Sequence, residues 1–231
     1  MDKINLRNSK FLGGTAVILG IIGSVLLYLL LSSTLEMSLI IPTIFFIVAS
    51  VIILVAVSDI SRKTKNRIIF SNFRTGFILA VISVFLLVIA AGSFFMAILT
   101  EPFGGSQGYG VGTLVLLIVF CVLFVLAFFF IKRSFDSASK VLDNKYFKIS
   151  GLLLFVGTVL FDVFILLILI ASNAGFYIAY TALIVMLLGA IFAIVAFFTI
   201  PNELEMGEPP SENTDVSQSE STDVSKSENA D

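Results

Sequence analysis

Asp162 lies inside a long apolar stretch of the sequence, between Phe161 and Val163. A carboxyl group at membrane depth costs free energy, and such groups usually face the interior of a helix bundle, where they bind protons or cations. Thr158 precedes Asp162 by one helical turn and therefore shares its helix face. Since no Lys, Arg or His is available at that depth, we expect a protonated Asp162 that donates to a serine, threonine or carbonyl oxygen of a neighbouring helix. Asp162 and Thr158 are the candidate intramembrane polar site, with a role either in helix packing or in proton or cation coupling.

The residue types that most enzyme chemistry requires are missing. The sequence has no histidine, which removes the usual zinc and haem ligand and the base of Ser/His and Cys/His pairs. Its single cysteine, Cys121, lies within an apolar stretch and has no disulfide partner in the chain. We expect Cys121 to be a small apolar residue that faces lipid or another helix. The sequence therefore predicts no catalytic residue, no metal site, no cofactor and no enzyme activity.

The composition indicates a membrane protein. Hydrophobic residues make up 58% of the 231 residues and charged residues 13%, which lies outside the usual range of soluble domains. About 20 apolar residues span the hydrocarbon core of a membrane, and uncharged stretches of that length recur along the chain. We predict an all-α, polytopic integral membrane protein whose transmembrane domain, residues 11–200, has six helices: 11–33, 37–58, 76–100, 111–131, 149–171 and 177–200.

The positions of the basic residues predict the orientation of these helices. All 14 Lys and Arg residues lie before the first helix, between helices two and three, between helices four and five, or after the last helix. The opposite side carries Glu36 and Glu101. Because short loops rich in Lys and Arg stay in the cytoplasm, we predict a protein of the cell membrane with both termini cytoplasmic, residues 1–10 being the N-terminal segment.

The two basic connections between helices resemble each other. Asn72-Phe73-Arg74 leads into helix three much as Tyr146-Phe147-Lys148 leads into helix five. In the second connection, apolar residues recur at three- and four-residue spacing, namely Phe135, Ala138, Leu142 and Tyr146. This pattern predicts a short amphipathic helix, either an extension of helix four that packs on the membrane surface or a helix that docks a partner.

Residues 201–231 differ in character from the rest of the chain. Ser, Thr, Asn and acidic residues dominate there, and Lys226 is the one basic residue. A segment of this composition buries too little apolar surface to offset the entropy of ordering, so we predict a disordered, acidic, Ser-rich tail. We expect the tail to keep the protein soluble at the membrane surface; a regulatory attraction to the basic loops is the alternative.

Three groups of residues also carry a family resemblance. They are Phe11-Leu12-Gly13-Gly14; Val57-Ser58-Asp59-Ile60-Ser61 with Ile69-Phe70-Ser71-Asn72; and Phe147-Lys148-Ile149-Ser150-Gly151, followed near the end by Ala196-Phe197-Phe198-Thr199-Ile200. In this order they resemble the archaeal multi-pass membrane protein family of unknown function catalogued as domain of unknown function nine-nine-six. The resemblance covers about residues 10–201. It implies an archaeal multi-helix membrane protein with no assigned activity, and it transfers no catalytic or binding residue to this chain.

Two classes of function follow from the sequence. The near absence of polar groups within the helices favours an uncharacterised structural or accessory membrane protein that acts by packing and interaction, without catalysis. The alternative is a small transporter or channel that uses Asp162 as an intramembrane proton or cation site. The expected partners are the lipid bilayer and a second copy or another membrane protein, and no nucleic acid.

Overall fold

Six long helices dominate the structure, a computed structural model that describes residues 3–32, 40–100, 111–168 and 174–205. They are α1 (Arg7–Ser32), α2 (Ile40–Lys63), α3 (Arg67–Thr100), α4 (Val111–Val141), α5 (Lys145–Ile168) and α6 (Ala174–Phe198). All six are long and apolar enough to cross a membrane. The prediction of an all-α, six-helix, multi-pass membrane protein is confirmed. Glu36, Glu101, Leu169, Asn173 and residues 206–231 of the predicted tail lie outside the described residues.

The helices extend beyond the uncharged stretches wherever Lys and Arg gather. α3 begins at Arg67 rather than at residue 76, α4 continues to Val141, and α5 begins at Lys145. Charged residues mark where a chain leaves the hydrocarbon core of a membrane. A helix, in contrast, ends where its last backbone groups are capped. The uncharged stretches of the sequence therefore overlap the helices but do not mark the residues at which the helices begin and end.

Two short strands, β1 (Lys3–Asn5) and β2 (Glu203–Glu205), join the two ends of the described chain. They pair antiparallel, with Lys3 opposite Glu205 and Asn5 opposite Glu203. The Leu6 N–H extends the ladder by donating to the Asn202 carbonyl oxygen at 2.9 Å. The sequence predicted disorder from residue 201, but the first residues of that segment are ordered because β1 supplies partners for their backbone groups.

The helices follow one another around the bundle in chain order. The closest packing is within the hairpins α1–α2, α3–α4 and α5–α6, while α2–α3 is a much looser contact and α1 packs on α6 to close the ring. Both strands and the α2–α3 and α4–α5 connections lie at the same end of the bundle, which we call the basic end. Thirteen of the fourteen Lys and Arg residues of the chain belong to it.

A cluster of buried apolar side chains, the basic-end core, fills this end of the bundle. It comprises Leu6, Val57, Ile60, Ile69, Phe73, Phe135, Ala138, Leu142, Phe147, Ala193, Ala196, Phe197 and Ile200. Four phenylalanine rings run through it from helix to helix: Phe73 of α3 lies 6.4 Å from Phe135 of α4, Phe135 lies 5.6 Å from Phe147 of α5, and Phe147 lies 5.1 Å from Phe197 of α6.

The predicted amphipathic segment contributes to this core. Phe135 and Ala138 belong to α4, which continues to Val141, so helix four does extend as predicted. Leu142 follows the end of α4 and Tyr146 belongs to α5, so the prediction that all four residues share one helix is wrong. Its apolar face was expected on the membrane surface, but Phe135, Ala138 and Leu142 are each at most 4% exposed and pack inside the protein. The spacing of apolar residues predicts that they share a helix face, but it does not specify which part of the protein covers that face.

Glycines mark the points where the helices approach most closely. The Phe197 ring packs against the backbone of Gly13 and thereby brings α1 into contact with the chain of rings. A Cβ atom added to Gly76 would lie 2.6 Å from the Ala127 carbonyl oxygen of α4. Around Gly20, by contrast, a Cβ atom would find no neighbour within 4 Å. Small residues thus allow backbone contact between membrane helices at specific positions.

We expect Gly76→Ala to destabilise the protein by about 1–3 kcal/mol, because the obstructing atom is backbone and cannot rotate away. The matched control is Gly20→Ala, which should be neutral or stabilising by up to about 1 kcal/mol through helix propensity. Thermal unfolding of both variants in the same detergent measures the difference. Equal melting temperatures for the two variants would show that α3 and α4 are not in backbone contact at Gly76.

Candidate functional site

Asp162 and Thr158 both lie in the interior of the bundle, as the sequence predicted. Thr158 is fully buried and Asp162 is 5% exposed. The Thr158 hydroxyl donates to the Leu154 carbonyl oxygen of its own helix at 2.9 Å. Both Asp162 carboxyl oxygens are buried, and neither has a hydrogen-bond partner among the described residues. The expected donation from Asp162 to a neighbouring helix is therefore not made there.

The face that carries Asp162 does not turn inward along its whole length. Gly151 and Thr158 are buried, but the Leu166 side chain, one turn after Asp162, is 41% exposed. The buried polar stretch of α5 therefore ends near Asp162. Helical spacing in the sequence also predicts Leu169 and Asn173 on this face, and both lie outside the described residues.

Cys121 of α4 lies close enough to the Asp162 carboxyl to interact with it electrostatically. The thiol is buried, so of the two alternatives predicted for Cys121, a residue facing lipid or a residue facing another helix, burial favours the second. The nearby rings of Phe124 and Phe161, 6.3 Å apart, keep the surroundings apolar. Two acidic groups in such surroundings can bind a proton, but within the described ranges no cluster of three or more His, Cys, Asp or Glu side chains could hold a metal ion.

Sequence reasoning missed a second polar site, which lies at the basic end and is centred on Asn144. Its Nδ2 donates to the Ala196 carbonyl oxygen at 2.9 Å and to the Thr199 hydroxyl at 3.0 Å, both at the end of α6. Its Oδ1 accepts from the Tyr146 N–H at 3.1 Å and thereby caps α5. A single buried amide therefore ties the start of α5 to the end of α6.

The α2–α3 connection repeats the local geometry of the α4–α5 connection. Lys65 and Asp143 adopt left-handed backbone conformations, with φ of 54° and 47°. Each is followed by an asparagine, and Asn66 Oδ1 accepts from the Ile68 N–H at 3.1 Å just as Asn144 accepts from Tyr146. The repetition predicted from the sequence is present in the structure, but its alignment differs. The helix caps align Asn66 with Asn144, whereas the sequence comparison aligned Phe73 with Phe147. The two alignments differ by about one helical turn. The feature of the sequence that predicts these caps is an Asn directly before each helix, since Asn is a preferred N-cap residue.

Further hydrogen bonds connect the helices near the basic end. Ser134 of α4 donates to the Ile69 carbonyl oxygen of α3 at 2.8 Å, and Ser150 of α5 donates to the Gly189 carbonyl oxygen of α6 at 2.8 Å. Both hydroxyls are fully buried. Each bond satisfies a buried polar group and fixes the position of one helix relative to the next.

A charged cluster joins α1 to α2 at the same end. The Asp59 carboxylate accepts from the Ser9 hydroxyl of α1 at 2.5 Å and forms ion pairs with Lys63 at 2.7 Å and with Arg62 at 3.3 Å. The Arg62 side chain is 83% exposed, so this last pair contributes little to stability. The cluster instead fixes where the Arg62 guanidinium and the Lys63 ammonium lie.

Comparison with known proteins finds relatives of unknown function. A family model described as "Protein of unknown function (DUF996)" matches residues 45–172. The protein is similar to the uncharacterized protein MJ1644 of Methanocaldococcus jannaschii, with 27% identity over 205 residues that cover 89% of this chain and 98% of that protein. No solved structure matches the chain. The family match includes Asp162, Cys121, Asn66 and Asn144, and its description assigns no activity to any of them.

We expect Asn144→Ala to destabilise the protein by about 2–4 kcal/mol, because it removes a helix cap and two buried hydrogen bonds to α6. Asn66→Ala, the matched control, removes the equivalent cap and should cost about 1 kcal/mol. Thermal unfolding in detergent measures both losses. If the two variants lose the same stability, the bonds from Asn144 to α6 do not hold these helices together.

Proposed function

We propose that this chain, which belongs to the DUF996 family of proteins of unknown function, is an accessory protein of the cell membrane. It has no catalysis of its own and acts by interaction at its basic end. Both of its termini face the cytoplasm. Its partners are the lipid bilayer and a second copy or another membrane protein.

The observation that carries this proposal is the concentration of ordered polar structure at one end of the bundle. Of the nine buried polar or charged residues in the described ranges, six lie within about two turns of the basic end, namely Ser9, Ser61, Thr64, Ser134, Asn144 and Ser150. Elsewhere the helices expose large apolar side chains such as Phe85, Val88 and Ile184, which suit contact with hydrocarbon. These buried groups are bonded within the protein and hold the helices of this end in place, and the exposed side chains of Arg62, Lys65 and Arg67 are polar groups that the same end presents to other molecules.

The orientation follows from the same distribution of charge. Thirteen basic residues belong to the basic end, and segments rich in Lys and Arg are retained in the cytoplasm during membrane insertion. The ordered ribbon of β1 and β2 brings both ends of the described chain to that side. A cytoplasmic basic end supports interaction with cytoplasmic and membrane partners.

A second candidate function rests on Asp162. A buried carboxyl group without a hydrogen-bond partner is costly, and natural proteins keep such groups mainly where they bind protons or ions. On this reading the protein is a small proton or cation transporter in which Asp162 binds the transported ion.

Flux measurements on purified protein in liposomes separate the two functions. An accessory protein should give no proton, sodium or potassium flux above that of empty liposomes, and Asp162→Asn should change nothing because the bundle has no transport cycle. Flux that Asp162→Asn abolishes, and that the control variant Ser83→Ala preserves, would contradict the accessory function and establish the transporter. Ser83→Ala is a fair control because it removes a buried hydroxyl group from another helix, α3, without removing a titratable group.

A further inference from the structure

The loosest contact between neighbouring helices, α2–α3, opens as a groove at the basic end. This groove has a volume of about 660 Å³ and is also bordered by α1. A second groove of about 460 Å³ adjoins it and shares Ser58, Arg62 and Phe70 with it. The two form one continuous depression, which we call the α2–α3 cleft.

The lining of the α2–α3 cleft changes from apolar to cationic toward the end of α2. Leu54, Val55 and Leu12 line the part of the cleft nearer the membrane interior. The Val55 side chain is 51% exposed and therefore leaves apolar surface uncovered. About two turns further along α2 lie the basic side chains of Arg62 and Lys63, and beyond the end of α2 lie those of Lys65 and Arg67.

Charge within the cleft is not balanced. Its four basic side chains face one carboxylate, that of Asp59, which leaves a net charge of +3 on the described lining residues. Asp59 is already engaged by Ser9, Lys63 and Arg62. Among the described residues, no ion pair neutralises Lys65 or Arg67, and both side chains are exposed. A ligand with a negative charge would complete this site.

We infer that the α2–α3 cleft binds an anionic membrane lipid. Its phosphate lies among Arg62, Lys65 and Arg67, and its hydrocarbon chain lies along Leu54 and Val55. Arginine guanidinium groups bind phosphate oxygens through paired, charge-assisted hydrogen bonds. Basic pockets between membrane helices on the cytoplasmic side are suited to anionic headgroups. The inference does not depend on the proposed accessory function, since a transporter would have the same cleft.

The combination of features distinguishes a lipid from a soluble anion. Inorganic phosphate would use the cationic part and leave the apolar part empty, whereas each buried CH₂ group of a lipid chain adds about 0.8 kcal/mol of favourable free energy. The apolar part of the cleft, formed by Leu12, Leu54 and Val55, lies on α1 and α2, both of which are long and apolar enough to span a membrane. A lipid can therefore occupy both parts of the cleft without leaving the bilayer.

Native mass spectrometry of the full, detergent-solubilised chain tests this inference. Phosphatidylglycerol should bind at one preferred site, phosphatidylcholine should bind more weakly, and inorganic phosphate should not bind at the same concentration. Arg62→Gln combined with Arg67→Gln should weaken phosphatidylglycerol binding about 30-fold, since each basic residue near a headgroup contributes about fivefold.

The matched control removes two exposed basic residues from the α4–α5 side, through Lys140→Gln combined with Lys148→Gln. These positions lie outside the cleft, so binding should weaken by less than about threefold through long-range charge alone. Both double variants should melt at the temperature of the parent protein, because all four side chains are exposed. Equal losses for the two double variants, equal binding of the two lipids, or binding of inorganic phosphate would each overturn the inference.

Discussion

The chain of phenylalanine rings through the basic-end core is the interaction on which the arrangement of the helices depends. From Phe73 it passes through Phe135 and Phe147 to Phe197, which rests on Gly13, so that α3, α4, α5, α6 and α1 are joined in sequence. Apolar surfaces gain little from association within lipid, because hydrocarbon chains solvate them as well as another helix does. At the basic end, where water replaces hydrocarbon, the hydrophobic effect operates. Burial of the phenylalanine side chains there stabilises the closed arrangement of the helices.

Hydrogen bonds give this apolar core its specific geometry. Asn144 caps α5 and binds the end of α6, while Ser134 and Ser150 each reach a carbonyl oxygen of an adjacent helix. These polar groups are buried but paired, so they fix helix positions without the cost of unmet hydrogen bonds. Asp162 is different, because its oxygens are buried and lack a partner within the described part of the chain. The molecule therefore combines a basic end, where Asn144, Ser134 and Ser150 are paired, with a buried acid farther along α5 whose two oxygens both lack a partner among the described residues.

The sequence predicted the number and class of helices because apolar length and charge are properties of each segment alone. It also predicted the burial of Thr158 and Asp162 from their shared helix face. It did not predict the partners of Phe135, the β1–β2 ribbon, or the proximity of Cys121 to Asp162, because each depends on residues far apart in the chain. The Asn66 and Asn144 caps were predictable in principle, because an Asn directly before a helix is visible in the sequence. They were missed because the sequence comparison aligned the aromatic residues Phe73 and Phe147, which shifts the alignment by about one helical turn.

We propose that the basic end of the bundle faces the cytoplasm, where it meets anionic lipid and protein partners. Single cysteines at Lys65 and at Gln107, each in a Cys121→Ser background, measure this directly. Lys65 is exposed in the α2–α3 connection, and Gln107 lies in the sequence between helices three and four. With an impermeant thiol reagent on intact cells, the account predicts labelling at Gln107 and protection at Lys65 until the membrane is permeabilised. Labelling at Lys65 with protection at Gln107 would contradict it.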